Sequence, residues 1–448
     1  MYRRILSAIF LIFTTITAYG AENANYTSSI SFPKTWFNQK AATGSWGGFR
    51  NRLEDRGVTI SSNYTTDIGG NPIGGLKQTT EYSGFLDVGV AFDFEKIASL
   101  KGLALTVTNY LASGRDLSSG IGNFFGAQEI YTPGSYYFGE MDLSLSLFED
   151  ALTFETGRLF AGDIFATSDL WQYYVNGGIN VNLNSIPANI FFPSFNIAAW
   201  AARFTYQPNE EWHLAAGIYN ADANVEKINN YGADFSFTMK DGYLAIGQLS
   251  YKHHQKREDN GLPGSTSFGG YYQSSRFQDL TDSTKRWHGN HGYYLMFDQM
   301  IYRGDWPEFK GPHHMRSGAS DAEKAKHPYH PHTTVAQDRP KGLTFWTAGY
   351  LAPQEHINTQ TYQIASGLVY QGLPPNRDYD VTAFCVLLGH FSNQLDGQGI
   401  ETVLELSHRF QIGQWFYITP DIQYIINPNG QTDIDDALVL GIEISVNF

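Results

Sequence analysis

The chain has 448 residues and a formal net charge of −14, with charged side chains only 17% of the total and 28 Tyr, 31 Phe, 9 Trp and 45 Gly. The acidic balance argues against nucleic acid as a partner, and the single cysteine, Cys385, excludes an intrachain disulfide. Beyond the amino terminus no segment stays apolar over the ~20 residues of a membrane helix, which excludes a helical membrane protein. A composition rich in aromatics and glycine, and below the ~25% charge of ordinary soluble domains, suits a β-barrel with aromatic girdles.

The first twenty residues read as a secretory signal peptide. Tyr2-Arg3-Arg4 gives a positive start, Ile5 to Phe13 an apolar run, and Ala18-Tyr19-Gly20 small residues for cleavage before Ala21. Residues 21–56 form an amino-terminal segment with a short helix, and 57–448 the barrel. An exported chain of this size without disulfides needs another source of rigidity, and a closed hydrogen-bonded barrel supplies it.

Amphipathic strands with period-two alternation are predicted at 57–67, 83–94, 103–112, 136–147, 152–161, 199–207, 212–219, 233–240, 243–252, 292–303, 343–352, 363–371, 380–390, 400–410, 415–426 and 437–448. Sixteen is an even number, as a single-chain bacterial barrel requires. In 83–94, Leu86, Val88, Val90, Phe92 and Phe94 share one face, opposite Asp87, Gly89, Ala91 and Asp93. The last strand sets Leu438, Leu440, Ile442, Ile444, Val446 and Phe448 against a face that is small or polar apart from Val439. A soluble sheet would bury that apolar face; a transmembrane barrel turns it to lipid.

Connections should alternate between short periplasmic turns and long outer loops. Glu149-Asp150-Ala151, Pro208 to Glu211, Asp241-Gly242 and Gln411 to Gln414 are the predicted periplasmic turns. The predicted outer loops are 113–135, 162–198 and 253–291. The 304–342 connection breaks the pattern: it is 39 residues long on the periplasmic side, either an insertion or a missed pair of strands. It carries His313, His314, His327, His330 and His332 among prolines. Imidazoles bind metals, but this spacing is not that of a defined site and the prolines fit an extended linker, so no metal or cofactor is assigned.

Before the first strand stands Ser45-Trp46-Gly47-Gly48-Phe49-Arg50, then Asn51 to Val58. This stretch resembles the amino-terminal signature of the carbohydrate-selective porins, the OprB family. Gly157-Arg158-Leu159-Phe160, Tyr174 to Gly178, and Pro420 to Pro428 resemble further family segments, in order across the mature chain. The terminal strand ending on Phe448 resembles the assembly signal of outer-membrane barrels. The resemblance implies an all-β, sixteen-stranded, antiparallel outer-membrane barrel with a constricting inner loop. It also implies passive uptake of carbohydrates such as glucose into the periplasm of a Gram-negative bacterium. The surroundings so implied are outer-membrane lipid with lipopolysaccharide and the barrel assembly machinery, and the state a monomer or homotrimer. The His-rich insertion departs from the family.

A pore for neutral sugars needs donors and acceptors for hydroxyls and aromatic faces for the ring. Loop 162–198 is long enough to fold inward and carries Trp171, Tyr173, Tyr174 and Asn176. Arg158, Arg203, Glu140, Asp142, Trp171 and Asn176 are therefore the expected pore lining. The competing reading is loop packing for the aromatics and an ion-pair network that holds the loop for the charges. Arg50 and Arg52 read as structural. Asp87, Asp93, Asp234, Asp298, Glu405, Asp421 and Glu443 fall on predicted inward positions against Arg203 and Arg409. That balance favours cations and gives the alternative of a general, weakly cation-preferring porin. A barrel enzyme would need a nucleophile with a placed base. The chain has no Gly-x-Ser-x-Gly motif, and His213, His390 and His408 have no evident partner in sequence. A soluble exported glycan-binding β-protein would need hydrophobic runs instead of lipid-length alternation.

Overall fold

The computed structural model describes residues 39–226, 231–307 and 339–448. The predicted signal peptide and the five clustered histidines lie outside the described residues. Sixteen antiparallel strands form one closed barrel. The first eight are β1 Val58–Ile73, β2 Thr80–Asp93, β3 Leu103–Gly114, β4 Tyr136–Leu147, β5 Leu152–Leu159, β6 Ala199–Tyr206, β7 Trp212–Asn220 and β8 Tyr243–His253. The rest are β9 Gly264–Gln278, β10 Arg286–Arg303, β11 Gly342–Leu351, β12 Gln360–Gln371, β13 Val381–Phe391, β14 Ile400–Gln411, β15 Phe416–Ile426 and β16 Ala437–Asn447. Each strand pairs with its chain neighbours, and β1 pairs with β16 to close the ring, so no edge is left for an apolar solvent to strand.

Fifteen of the strands match predicted ones to within a few residues, although β1 and β10 run about six residues further than their patterns. The match fails at one place. Residues 233–240 are not a strand, and Gly264–Gln278, inside the predicted outer loop 253–291, is one. The count survives because one error cancels the other, but the connections between them change sides. Asp241-Gly242 lies on the side of the long loops, and 254–263 forms the opposite turn. The reason lies in composition. Strand β9 is GSTSFGGYYQSSRFQ, whose glycines and serines weaken its alternation, while Phe235, Phe237 and Met239 imitate a strand. Strands β10 and β11 pair directly with each other, and residues 308–338 of the connection between them lie outside the described residues.

Side-chain placement is that of a soluble protein turned inside out. Ile68, Leu143, Phe154, Phe204, Leu249, Leu351, Phe384, Leu440 and Ile442 are exposed on the outer wall. Thr65, Asp67, Thr108, Glu155, Gln363, Glu405, Gln423 and Glu443 are buried inside. An apolar exterior of this extent matches a hydrocarbon surround. Exposed Tyr82, Tyr136 and Tyr272 mark the upper rim, and Tyr206, Trp212 and Tyr302 the lower one, as girdles at two interfaces.

The two chain ends meet at the lower rim. Gly47 and Gly48 take positive φ of 64° and 85°, a conformation open to glycine, and turn the chain into the helix Phe49–Asp55. Arg50 then donates from Nη2 to the Phe448 carbonyl at 2.5 Å and lies over the Trp46 ring at 4.2 Å. The Ala42 amide donates to the Asn447 carbonyl at 2.8 Å. The Trp-Gly-Gly-x-Arg stretch is thus a latch on the terminal strand.

Candidate functional site: two loops inside the barrel

Two upper loops, 115–135 and 160–198, turn inward and are bonded to the inner wall across the lumen. The second is rooted at Phe160. The Phe160 amide donates to Glu140 Oε1 at 2.8 Å, and its carbonyl accepts from Arg203 Nη1 at 2.5 Å. Register puts Glu155 of β5 opposite Arg203 of β6, both pointing inward. Their side chains join through two bonds, 2.7 Å and 2.8 Å, the planar fork of an arginine on a carboxylate. Asp142 lies beside Glu140 on the same inward face of β4. Asp163, in the loop itself, completes the group. Burial pushes the Asp163 carboxyl up to about 7; Arg203 pulls it down, and Glu155 and Asp142 push it further up.

From that root the loop crosses to the far wall. The Ala166 amide donates to Gln248 Oε1 at 3.1 Å and the Ser185 amide to Gln363 Oε1 at 2.9 Å. Gln363 returns a bond from Nε2 to the Gly178 carbonyl at 2.7 Å. The Val175 and Asn176 amides both donate to the Glu405 carboxylate, at 2.5 Å and 3.2 Å. Amide and carboxylate side chains on β8, β12 and β14 thus satisfy buried loop backbone. The loop 115–135 lies against it: the Gly177 amide donates to the Gly126 carbonyl at 2.7 Å and the Glu129 amide to the Val175 carbonyl at 3.1 Å. The Phe124 and Phe125 amides are held by Glu401 at 2.7 Å and 2.8 Å.

The six residues singled out by sequence fall into three groups. Arg203, Glu140 and Asp142 come together at the loop root. Trp171 and Asn176 lie inside the loop packing. Trp171 is 1% exposed and meets Trp346 edge-on at 5.8 Å between ring centroids. Asn176 bridges Gln423 Oε1 at 2.9 Å and the Phe125 carbonyl at 3.3 Å. Arg158 stands apart. It shares the outward parity of Phe154 on β5 and is register partner of the outward Trp200. Its guanidinium donates to the Asp234 carbonyl at 2.7 Å and the Ala198 carbonyl at 2.8 Å and faces the Phe235 ring at 5.2 Å. The segment around Phe235 therefore covers Arg158 on the outside of the wall. Two of the expected inward acids also lie elsewhere: Asp234 belongs to that covering segment, and Asp93 caps the helix Phe94–Ala98 by accepting from the Glu95 amide at 3.0 Å.

Sequence reasoning missed Glu155, Gln363, Glu401 and the whole inward course of 115–135. Inward parity was the available signal for the three side chains; nothing in the loop's own residues announced its direction.

A closed sixteen-stranded barrel with an apolar outside and inward-folded loops defines an outer-membrane channel. Residues 77–448 match the family described as carbohydrate-selective porin, OprB family, and the chain belongs to it. It is an outer-membrane porin for sugars, and its fold and family indicate a channel rather than an enzyme. It is 24% identical to the putative porin QuiX of Acinetobacter baylyi, over 90% of this chain and 92% of that one. It is 23% identical to porin B of Pseudomonas aeruginosa, over 92% of each. The high-pH structure of Pseudomonas putida OprB superposes with a TM-score of 0.77 at 22% identity, covering 92% of this chain and 99% of that one.

Proposed function

We propose that the protein conducts neutral monosaccharides such as glucose by passive diffusion from the outer medium to the periplasm. The observation that carries this reading is the pair of loops bonded across the lumen by amide and carboxylate side chains. Loops held in this way narrow the lumen to a constriction, whose remaining polar groups would replace the hydration of a sugar hydroxyl one at a time, which permits both entry and release. A pore for anions would instead need rings of Arg or Lys.

The cluster of Arg203, Glu140 and Asp142 is the proposed polar lining beside the loop root, with Glu155 holding Arg203 in place. Trp171 and Asn176 act as packing that fixes the loop's shape, and Arg158 fixes the covering segment outside. A general, weakly cation-preferring channel is the second reading. It is favoured by the inward carboxylates Asp67, Asp87, Glu405, Asp421 and Glu443.

Single-channel recording of the refolded protein in a planar bilayer, titrated with glucose and longer oligosaccharides, separates the two. Saturable block by sugar in the millimolar range supports the sugar reading. Steady cation-preferring channels indifferent to sugar support the second.

A further inference from the structure

Where the barrel closes on itself, three carboxylates converge. Asp67 on β1 stands directly opposite Glu443 on β16, and both point inward. Glu129 descends onto them from the loop 115–135. One oxygen from each lies within 4.8 Å of the others. Asp67 is 2% exposed, and neither of its carboxylate oxygens has a hydrogen-bond partner among the described residues. Thr419, register partner of Glu443 on its other side, is 0% exposed, and its hydroxyl also has no hydrogen-bond partner among the described residues.

The cation at hand is Arg409, whose Nη2 is 3.5 Å from Glu443 Oε1. Its guanidinium is already committed: it lies over the Tyr417 ring at 3.8 Å and donates to the Gln172 carbonyl. One shared positive charge against three carboxylates leaves buried negative charge in excess. A buried carboxylate without a hydrogen-bond partner, as Asp67 is among the described residues, is costly, and proteins neutralise such a group by protonation, pairing or a metal ion. The donors here are all oxygen, three carboxylates and a hydroxyl, with no imidazole or thiolate. That set suits a hard cation over zinc or copper. Calcium binds oxygen at about 2.4 Å in flexible geometry, which places opposed ligands up to about 4.8 Å apart, whereas magnesium demands a tighter octahedron.

We propose that Asp67, Glu129 and Glu443, with the Thr419 hydroxyl, form a calcium-type divalent cation site that clips the inner loop 115–135 to the closing seam of the barrel. The ion would join the first strand, the last strand and the inner loop at one point. It would hold the loop pair from within the lumen, independently of any sugar.

The test is thermal unfolding of the refolded protein in lipopolysaccharide-free detergent, after EDTA treatment, with calcium added back. The expected result is a saturable rise in unfolding temperature of at least about 2 °C, with magnesium less effective at equal concentration. Asp67→Asn should weaken the calcium midpoint at least about tenfold, since it removes one charged ligand. Glu129→Gln lies on the inner loop and not in a strand of the barrel, and gives the same readout if the strand variant does not fold. An unfolding temperature indifferent to calcium and EDTA overturns the proposal. So does calcium stabilisation that both variants retain unchanged, because the ion then binds elsewhere. Stabilisation by acid alone, with no response to calcium, overturns it in favour of shared protons. Sugar conductance enters none of these readouts, so the transport reading and the cation site can fail separately.

Discussion

Arg158 and Arg203 sit on the same hairpin and face opposite media. Arg203 points into the lumen and is tied to Glu155 and to the Phe160 carbonyl. Arg158 points outward and survives there because two carbonyls and the Phe235 ring take the place of water. Removing Arg203 leaves Glu155 as an uncompensated buried charge. Arg203→Ala should therefore cost about 3 kcal/mol in a urea titration of folding. It should also raise single-channel conductance by loosening the loop root. Arg158→Ala should behave differently. It loses two charge-assisted hydrogen bonds, a cost of about 2 kcal/mol. Conductance should stay at the wild-type level while protease cleavage within 221–242 increases. A fall in conductance in that variant would return Arg158 to the pore.

At the scale of the element, the loop 160–198 is a buried segment whose backbone is satisfied by side chains of the wall instead of by its own secondary structure. Its only regular pieces are the single turns Trp171–Tyr173 and Ser185–Asn189. Such a segment is held by the sum of its anchors, and one anchor titrates. The Asp163 carboxyl is raised to about 7 in the folded protein by burial first, against about 4 for an unperturbed aspartate. Between those values the folded state binds the proton that the unfolded state has released. Its contribution to stability is therefore fully present below about pH 4 and is lost as pH rises through about 7. The loop should be held more tightly at pH 5 than at pH 8. The check is limited proteolysis within 160–198 at the two values. Asp163→Asn should remove the difference; if the difference persists unchanged, another group is responsible.

At the scale of the whole molecule, closure is the dominant fact. Every strand has two partners, and the greasy exterior has no core to hide in, so lipid completes the structure. Ile442, near the middle of β16, is exposed on the outer face. Ile442→Arg should cost about 2–4 kcal/mol when folding is measured into lipid vesicles, as expected for a basic residue near the midplane. The adjacent inward position is Gly441, whose Cβ would meet Asp421, so a charge cannot simply be moved across the wall there.

Sequence alone determined the class of fold, because period-two alternation is a property of neighbouring residues and needs no distant partner. It determined the outward apolar face of β16, and the Trp46 to Arg50 stretch carried the family. It misplaced one strand, because Gly and Ser in β9 erase the very alternation that the loop residues Phe235, Phe237 and Met239 imitate. Tertiary structure alone decided the rest. Which lumenal acid meets which loop amide depends on register around the closed ring, as Glu405 meeting Val175 and Asn176 from 230 and 229 residues away makes plain. The inward turn of 115–135, the outward face of Arg158 and the convergence of Asp67, Glu129 and Glu443 share that dependence. Each is fixed by contacts between segments far apart in the chain, and local pattern carries no record of them.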